Sequence, residues 1–353
     1  MKVTPRRIAA ASRALQGPLR DALALRSEEL SKELAERHFV VPWDRQRLIG
    51  QVQQALWSLS DERFSLAPGE GVRVIERAAQ PYECVEAAWR ALRHGQRVWV
   101  DREAGACLGG IELLRAMGEV LGYGVLQVAE APGATDEGLS TWEEVGVDPA
   151  PRRVIAVGAD ADPELAAYVV ARAALRRTGF DPRCVHRVLV AGEQGRFERH
   201  LRRLFVGVRI GGPDDPEAFA GPVRPDQAEA FESDLADWRE GSGIAEVCPG
   251  GRLEAGRGDA EQMYLAPALF VADGEELRGP QRDPRGPTLI LQRVAEGGLE
   301  TLLRQTLDAV PGPSAWVWVS ETKPRLQAAA KDRWVSGALE VARLPPGLPL
   351  PRP

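Results

Sequence analysis

The chain has 353 residues, 44% of them hydrophobic, and a formal net charge of −6, which suits two domains with buried cores. This mildly acidic balance gives no electrostatic footprint for nucleic acid or an anionic membrane, and no apolar run of about 18 residues predicts a bilayer span. The four cysteines are scattered without a CxxC pair, so we expect neither a disulfide framework nor a zinc cluster, and we expect a cytoplasmic location. The sequence contains no asparagine, which excludes any mechanism that needs an asparagine side chain.

The first 60 residues predict helices. Two of them, over 6–15 and 19–37, are expected to be separated at Gly17–Pro18, because this pair is a common helix breaker. Asp44 is expected to cap a third helix, whose apolar residues recur at helical spacing. The N-terminal region therefore predicts a helical layer ahead of the first strand.

From residue 72 onward, short apolar strands alternate with helices of 10 to 15 residues, a pattern typical of parallel βαβ units. We expect domains at 1–148 and 149–343, joined through a segment rich in Gly, Pro and acidic residues, with an extended Pro-rich tail at 344–353. The predicted strands are 72–75, 97–100, 124–128, 154–157, 187–190, 206–210, 265–271, 288–292, 315–319 and 338–341. The predicted helices are 84–92, 109–121, 163–177, 197–205, 225–240, 299–309 and 324–332.

Seven short segments follow the order and the near spacing of landmarks in the aldehyde dehydrogenase superfamily, which the chain resembles over about residues 70–340. The resemblance implies a two-domain α/β fold, with a Rossmann-like N-terminal parallel sheet and a second, catalytic-type α/β domain. It also implies family chemistry in which a cysteine attacks an aldehyde, an asparagine holds the oxyanion, a glutamate activates water and a nicotinamide cofactor takes the hydride. The segments are 91–100, 121–128, 159–166, Gly179 with 187–190, 221–223, 250–252 with 264–267, and 286–287.

The family's nucleophile position falls on Pro182 when Gly179 and Arg187 are matched to the glycine and arginine that flank the family's cysteine. Proline has neither a thiol nor a backbone N–H, so the nucleophile and one oxyanion donor are both lost. Cys184, two residues on, is the alternative nucleophile, although a small buried thiol is the simpler reading of it.

The remaining catalytic positions are also altered. The oxyanion asparagine of the family's PWN turn falls on Ala79, and no shift of alignment restores it in a chain without asparagine. The general-base glutamate falls on Asp148, which keeps a carboxylate, one methylene shorter, directly before Pro149; an Asp beside a proline is also a common turn former.

The family's cofactor-binding positions are also altered. The family's ribose-binding lysine falls on Asp101, and the glutamate that grips the nicotinamide ribose falls on Asp283. Replacing lysine by aspartate turns attraction for a phosphate-bearing ligand into repulsion. The family's glycine turn and helix, which meet the pyrophosphate, have no counterpart within 129–147.

The resemblance therefore predicts a pseudoenzyme: an aldehyde-dehydrogenase-like protein with no cofactor, serving as a scaffold, a regulatory subunit or a partner of another enzyme. The alternative is a divergent NAD- or NADP-dependent aldehyde oxidoreductase that uses Cys184 and Asp148. A protein partner or self-association is expected, without nucleic acid or membrane. No metal site is expected, because the four histidines are dispersed.

Overall fold

The computed structural model divides the chain into two compact units, each described here by itself. The first comprises Met1–His38 and Asp44–Pro149, and the second comprises Phe39–Trp43 and Ala150–Pro353. The structure describes residues 3–59, 71–122, 124–133, 143–144, 152–192, 194–241, 243–253, 262–274, 283–308, 314–320 and 333–335.

Three helices open the chain: α1 (Pro5–Leu25), α2 (Ser27–His38) and α3 (Pro42–Ser58). The predicted break at Gly17–Pro18 is wrong, because α1 continues through it and the chain turns only at Arg26. Proline removes one backbone hydrogen bond, but the buried face of α1 runs unbroken on both sides of it and outweighs that loss. This face consists of Ile8, Ala9, Ser12, Gln16, Leu19 and Leu23.

The predicted cap at Asp44 is also wrong, because α3 begins two residues earlier, at Pro42. Proline is well suited to a first helical turn, where its missing N–H would have no intrahelical partner. Asp44 is instead buried within the helix, and its carboxylate accepts a hydrogen bond of 2.6 Å from Arg47 Nε.

A four-stranded, fully parallel sheet organises the rest of the first unit, in the order β3-β2-β1-β4. Strand β1 is followed by α4 and β2 by α5, so the βαβ rhythm predicted from the sequence is confirmed. Their bounds are β1 (Val72–Glu76), α4 (Glu83–Arg93), β2 (Val98–Arg102), α5 (Gly109–Leu121), β3 (Leu126–Val128) and β4 (Glu143–Glu144).

The second unit is built on a seven-stranded sheet in the order β11-β10-β5-β6-β9-β8-β7. Every neighbouring pair is parallel except β7 with β8, which is the antiparallel edge pair. The strands are β5 (Arg152–Val157), β6 (Val185–Ala191), β7 (Ile244–Leu253), β8 (Tyr264–Asp273), β9 (Thr288–Val294), β10 (Ser314–Val319) and β11 (Arg333–Val335).

Helices cover both faces of this sheet. Helices α6 (Pro163–Ala174) and α7 (Gly195–Gly207) share one core with Leu289 and Leu291. Helix α8 (Pro225–Arg239) packs on the opposite face with Ile290, and α9 (Leu299–Asp308) packs on Leu189 of the same face as α8. Successive strand side chains point to opposite faces, which is why neighbours in β9 belong to different cores.

Four elements of the second unit depart from the prediction or lie outside the described residues. The strand predicted at 206–210 is wrong: α7 continues to Gly207, and Ile210 forms only an isolated bridge with Ala220. Strand β7 was missed, because it contains Pro249 and two glycines and is an edge strand in which half of the residues are exposed. The helix predicted at 324–332 and the strand predicted at 338–341 fall outside the described residues.

Candidate functional site

The backbone before β6 is left-handed at three consecutive residues. Arg177, Thr178 and Gly179 have φ values of 45°, 52° and 77°. This conformation costs roughly 1 to 2 kcal/mol for each residue that carries a Cβ. The hydroxyl of Thr178 offsets part of that cost, because it donates to Gly221 O at 2.8 Å and accepts from Gly221 N at 3.0 Å.

Gly179 lies against the backbone of Gly286, in the segment that leads into β9. A Cβ at Gly179 would stand 2.1 Å from the carbonyl carbon of Gly286, far inside van der Waals contact. Only glycine therefore fits this position. The contact brings together two segments that the sequence resemblance assigned to one active site.

The turn after Gly179 carries Pro182 at its exposed tip. The buried carboxylate of Asp181 accepts from Arg183 N at 2.8 Å, and the carbonyl of Asp181 accepts from Cys184 N at 2.8 Å. The turn is therefore held by its own backbone and by one aspartate. Its exposed residue offers no thiol and no N–H donor.

Cys184 faces inward at the foot of the same turn. Its side chain is buried, with 4% exposed, and its thiol donates to Arg176 O at 3.2 Å. A nucleophilic cysteine needs access to substrate and a neighbour that favours the thiolate. With 4% of its side chain exposed, Cys184 does not meet the first of these needs.

Asp283 lies close to the first residues of β6, where its Oδ1 is 3.8 Å from Arg187 Nη2. Next to it, Arg285 Nε and Nη2 each donate to the buried carboxylate of Asp234, at 2.9 Å. His186 Nδ1 lies 3.1 Å from Thr288 O, and burial lowers the pKa of this imidazole. The segment from Asp283 to Thr288 is thus fixed to α8 and β6 through charged and polar side chains.

Ala79 and Asp101 belong to the first unit, at the carboxyl ends of β1 and β2. Ala79 is exposed in the turn from Arg77 to Gln80, and its methyl group cannot donate a hydrogen bond. Asp148 lies outside the described residues, so its position as a base stays a prediction.

Asp101 is a buried structural carboxylate, with 2% exposed. Its Oδ2 accepts from Arg73 Nη2 at 2.5 Å, which ties β2 to β1. Its Oδ1 accepts from Arg102 N at 2.7 Å and from Gly133 N at 3.0 Å, which ties in the segment after β3. Both carboxylate oxygens of Asp101 therefore accept hydrogen bonds from within the chain.

Two further carboxyl groups at this edge of the sheet were missed by sequence reasoning. Glu76, at the end of β1, accepts from Tyr82 N at 2.5 Å and from Cys84 N at 3.1 Å, at the start of α4. Glu33 accepts from Leu108 N at 2.5 Å and Gly109 N at 2.9 Å, at the start of α5. The sequence offered one signal for the Glu76 contact, which was an acidic residue at the end of an apolar strand. Glu33 gave none, because it lies 75 residues before Leu108.

These caps bear on cofactor binding, because a helix N-terminus binds phosphate through the same N–H groups. At the start of each of α4 and α5, two N–H groups are already engaged by carboxyl oxygens. Together with the buried Asp101, this arrangement does not fit the phosphates of a dinucleotide at either helix.

Burial also perturbs the groups around Glu76. Desolvation raises the pKa of Glu76 to about 8. It also raises the pKa of the Cys84 thiol well above its usual value, and the nearby Glu76 adds to that shift.

Within the described residues, no group of three or more His, Cys, Asp or Glu side chains is placed to hold a metal ion.

No model of a known protein family matches the chain, and no curated protein matches it. Solved structures do. An NAD-dependent aldehyde dehydrogenase from Sinorhizobium meliloti is 17% identical with a TM-score of 0.74, over 94% of this chain and 75% of that one. A methylmalonate-semialdehyde dehydrogenase from Oceanimonas doudoroffii is 13% identical with a TM-score of 0.72, over 89% and 73%.

A third similar structure is an NAD-dependent benzaldehyde dehydrogenase from Corynebacterium glutamicum, 15% identical with a TM-score of 0.71, over 93% of this chain and 80% of that one. This chain has the aldehyde dehydrogenase fold. The resemblance read from the sequence is thereby confirmed at the level of the fold, and so is the predicted two-domain α/β class. Sequence identities this low support the shared fold alone. Activity and cofactor binding depend on the individual residues. Among the described residues, no helix combines the length and apolar character of a membrane span.

Proposed function

We propose that this protein uses the aldehyde dehydrogenase fold without aldehyde dehydrogenase chemistry, and serves as a scaffold, a regulatory subunit or a partner of another enzyme. The observation that carries the proposal is the exposed turn at Pro182, which follows the left-handed Arg177–Gly179 segment. The resemblance assigns the nucleophile to this residue, and proline cannot attack a carbonyl carbon or donate to an oxyanion.

The inward orientation of Cys184 supports the same proposal. A thiol that is 4% exposed and donates to a backbone carbonyl has little access to a substrate. The alternative of an active oxidoreductase needs this thiol to leave the core and act with Asp148.

The proposed loss of cofactor rests on the first unit. Glu33 and Glu76 engage the N–H groups at the starts of α5 and α4, and Asp101 stands in place of the family's lysine. Each of these features disfavours a phosphate-bearing ligand. We also propose a cytoplasmic location, supported by four cysteines that are all free and buried.

Activity is tested by incubating the purified full chain with NAD+ or NADP+ and a panel of aliphatic and aromatic aldehydes, with reduced cofactor as the readout. We expect no turnover above the protein-free background. Calorimetric titration with each cofactor is expected to give no binding heat at millimolar concentration. Sustained turnover with any aldehyde would contradict the proposal.

Cys184→Ser and Cys248→Ser form a matched pair for any activity that is observed, because both cysteines are buried to 4% exposed in the second unit. Activity lost in Cys184→Ser and kept in Cys248→Ser establishes the alternative enzyme. Activity kept in both excludes Cys184 as the nucleophile, and a mock purification from cells that lack the protein then separates a contaminant from an activity of this chain.

A further inference from the structure

Helix α7 presents a strongly basic outer face in a chain whose net charge is negative. Its buried side consists of apolar residues in the core, and its outer side carries arginines at helical spacing. All four arginines are exposed, and within the described structure none of them pairs with a carboxylate. We call this set the basic face: Arg196, Arg199, Arg202 and Arg203.

Other charges on α7 behave differently. Glu198 pairs with Arg293 Nη2 at 2.6 Å, and His200 lies 3.9 Å from Glu164. The helix therefore satisfies the charges on its flanks within the unit, and leaves those on its outer face for something else.

Helix α8 presents the opposite pattern. Its buried side contains Phe231 and Trp238, and its outer side carries exposed carboxylates. Asp226 pairs locally with Arg224 at 3.0 Å, so Glu229 and Glu232 are the stronger part of this surface. We call this set the acidic face: Asp226, Glu229, Glu232 and Asp237.

The two faces have the same spacing. Arg196, Arg199 and Arg202 follow one another at intervals of three residues, as do Asp226, Glu229 and Glu232. Each set therefore spans about 9 Å along its helix axis and winds through about 120° around it. Two helices that cross can bring these two rows of opposite charge against each other.

The two faces cannot meet within one chain. Helix α7 packs on the sheet face that carries Leu289 and Leu291, and α8 packs on the face that carries Ile290. A second copy of the chain is therefore the partner whose surface complements each face.

We propose that copies of this protein associate head to tail, with the basic face of α7 in one copy against the acidic face of α8 in the next. Such a contact joins two different surfaces, so it extends into short chains of copies unless the rotation closes a ring. Exposed charges are screened by salt, so the association is weak and depends strongly on ionic strength. It does not depend on whether the protein is active.

Sedimentation velocity on the full chain tests the proposal at about 0.01 M and about 1 M salt, where the Debye length is about 30 Å and about 3 Å. We expect concentration-dependent oligomers at low salt and monomers at high salt. A chain that stays monomeric at low salt overturns the proposal. If that monomer instead binds a polyglutamate peptide through the basic face, the partner is an acidic segment of another protein.

Charge reversal identifies the surfaces. Arg199→Glu with Arg202→Glu, and separately Glu229→Arg with Glu232→Arg, are each expected to weaken self-association by at least about tenfold. Mixing these two variants is expected to restore association, because one then has two acidic faces and the other two basic faces. A chain with all four changes is expected to associate with itself again.

Arg115→Glu with Arg304→Glu is the matched control, because it changes net charge equally at exposed arginines outside the basic face. Association that this control abolishes as strongly as the α7 variant overturns the assignment, as does association that survives every reversal. All of these side chains are exposed, so circular dichroism and the unfolding midpoint are expected to stay unchanged.

Discussion

At the carboxyl edge of the four-stranded sheet, side chains of the chain itself engage the groups that would hold a ligand. At the turn before β6, the backbone keeps a costly shape while its exposed residue offers no reactive group. Glu33, Glu76 and Asp101 make the internal contacts at the sheet edge, and Pro182 is the unreactive residue at the turn. Under the proposed function, the two regions represent two routes away from catalysis: one fills a binding edge with internal contacts, and the other changes a single exposed residue on a frame that packing still requires.

Gly179→Ala is expected to have the largest effect on stability, because its Cβ would collide with the Gly286 backbone at 2.1 Å. We expect a loss of about 3 to 5 kcal/mol in the free energy of unfolding, measured by urea denaturation. Gly192→Ala is the control, since it has a similar φ of 68° with no neighbouring atom within 4 Å, and is expected to lose about 1 kcal/mol. Equal losses in both variants would show that the frame before β6 is not held by packing.

The proton on Glu76 is expected to have the next largest effect. The folded pKa is raised from 4.5 to about 8, so the stability that this proton contributes is complete below about pH 4.5 and is lost as the pH rises through about 8. Between about pH 5 and about pH 8, the wild-type protein is expected to lose about 3 kcal/mol more than Glu76→Gln. Glu103→Gln is the control at the same edge, because Glu103 is half exposed, and it is expected to keep the wild-type slope. If the unfolding free energies of wild type and Glu76→Gln change in parallel with pH, Glu76 is not the group that titrates.

Asp101→Asn is expected to cost about 2 kcal/mol in unfolding free energy, because it removes the charge partner of Arg73 from a buried position. Asp273→Asn removes a carboxylate that also pairs with an arginine, Arg293, but is 75% exposed, and it is expected to cost less than about 0.5 kcal/mol. Denaturation at neutral pH measures both. If the two losses are alike, Asp101 does not hold the edge of the sheet as described.

Pro182→Cys is expected to change stability least, by under about 1 kcal/mol, because the residue is exposed at the tip of its turn. Its informative readout is thiol reactivity. The native protein has four buried free cysteines and is expected to react slowly with a disulfide reagent, whereas Pro182→Cys is expected to add one rapidly reacting thiol. Rapid reaction in the native protein that disappears in Cys184→Ser would show that Cys184 reaches solvent and would revive the alternative nucleophile.

The sequence was sufficient for the parallel βαβ elements, because buried strands such as β5 and β6 are apolar runs bounded by clear helix starts. It failed where tertiary packing overrides a local signal. Helix α1 passes Gly17–Pro18 because its buried face is continuous, and β7 forms at a sheet edge in spite of Pro249.

The candidate site was predictable only in part. Gly179 and Gly286–Pro287 were recognised as landmarks, and the structure places them in contact. The caps at Glu33 and Glu76 were not predicted, because they depend on distances between residues far apart in the chain, and no motif records such a pairing.

The segment Phe39–Trp43 has a consequence for how the chain reaches its folded state. It belongs to the second unit, where the Trp43 ring stacks on Phe219 at 4.6 Å and Trp43 Nε1 donates to Phe219 O, 176 residues later. During synthesis, these five residues emerge long before Phe219, which receives the Trp43 ring. Closing so long a loop is entropically costly and slows folding, so the second unit is completed late, and a fragment that starts at residue 150 leaves Phe219 without its covering ring.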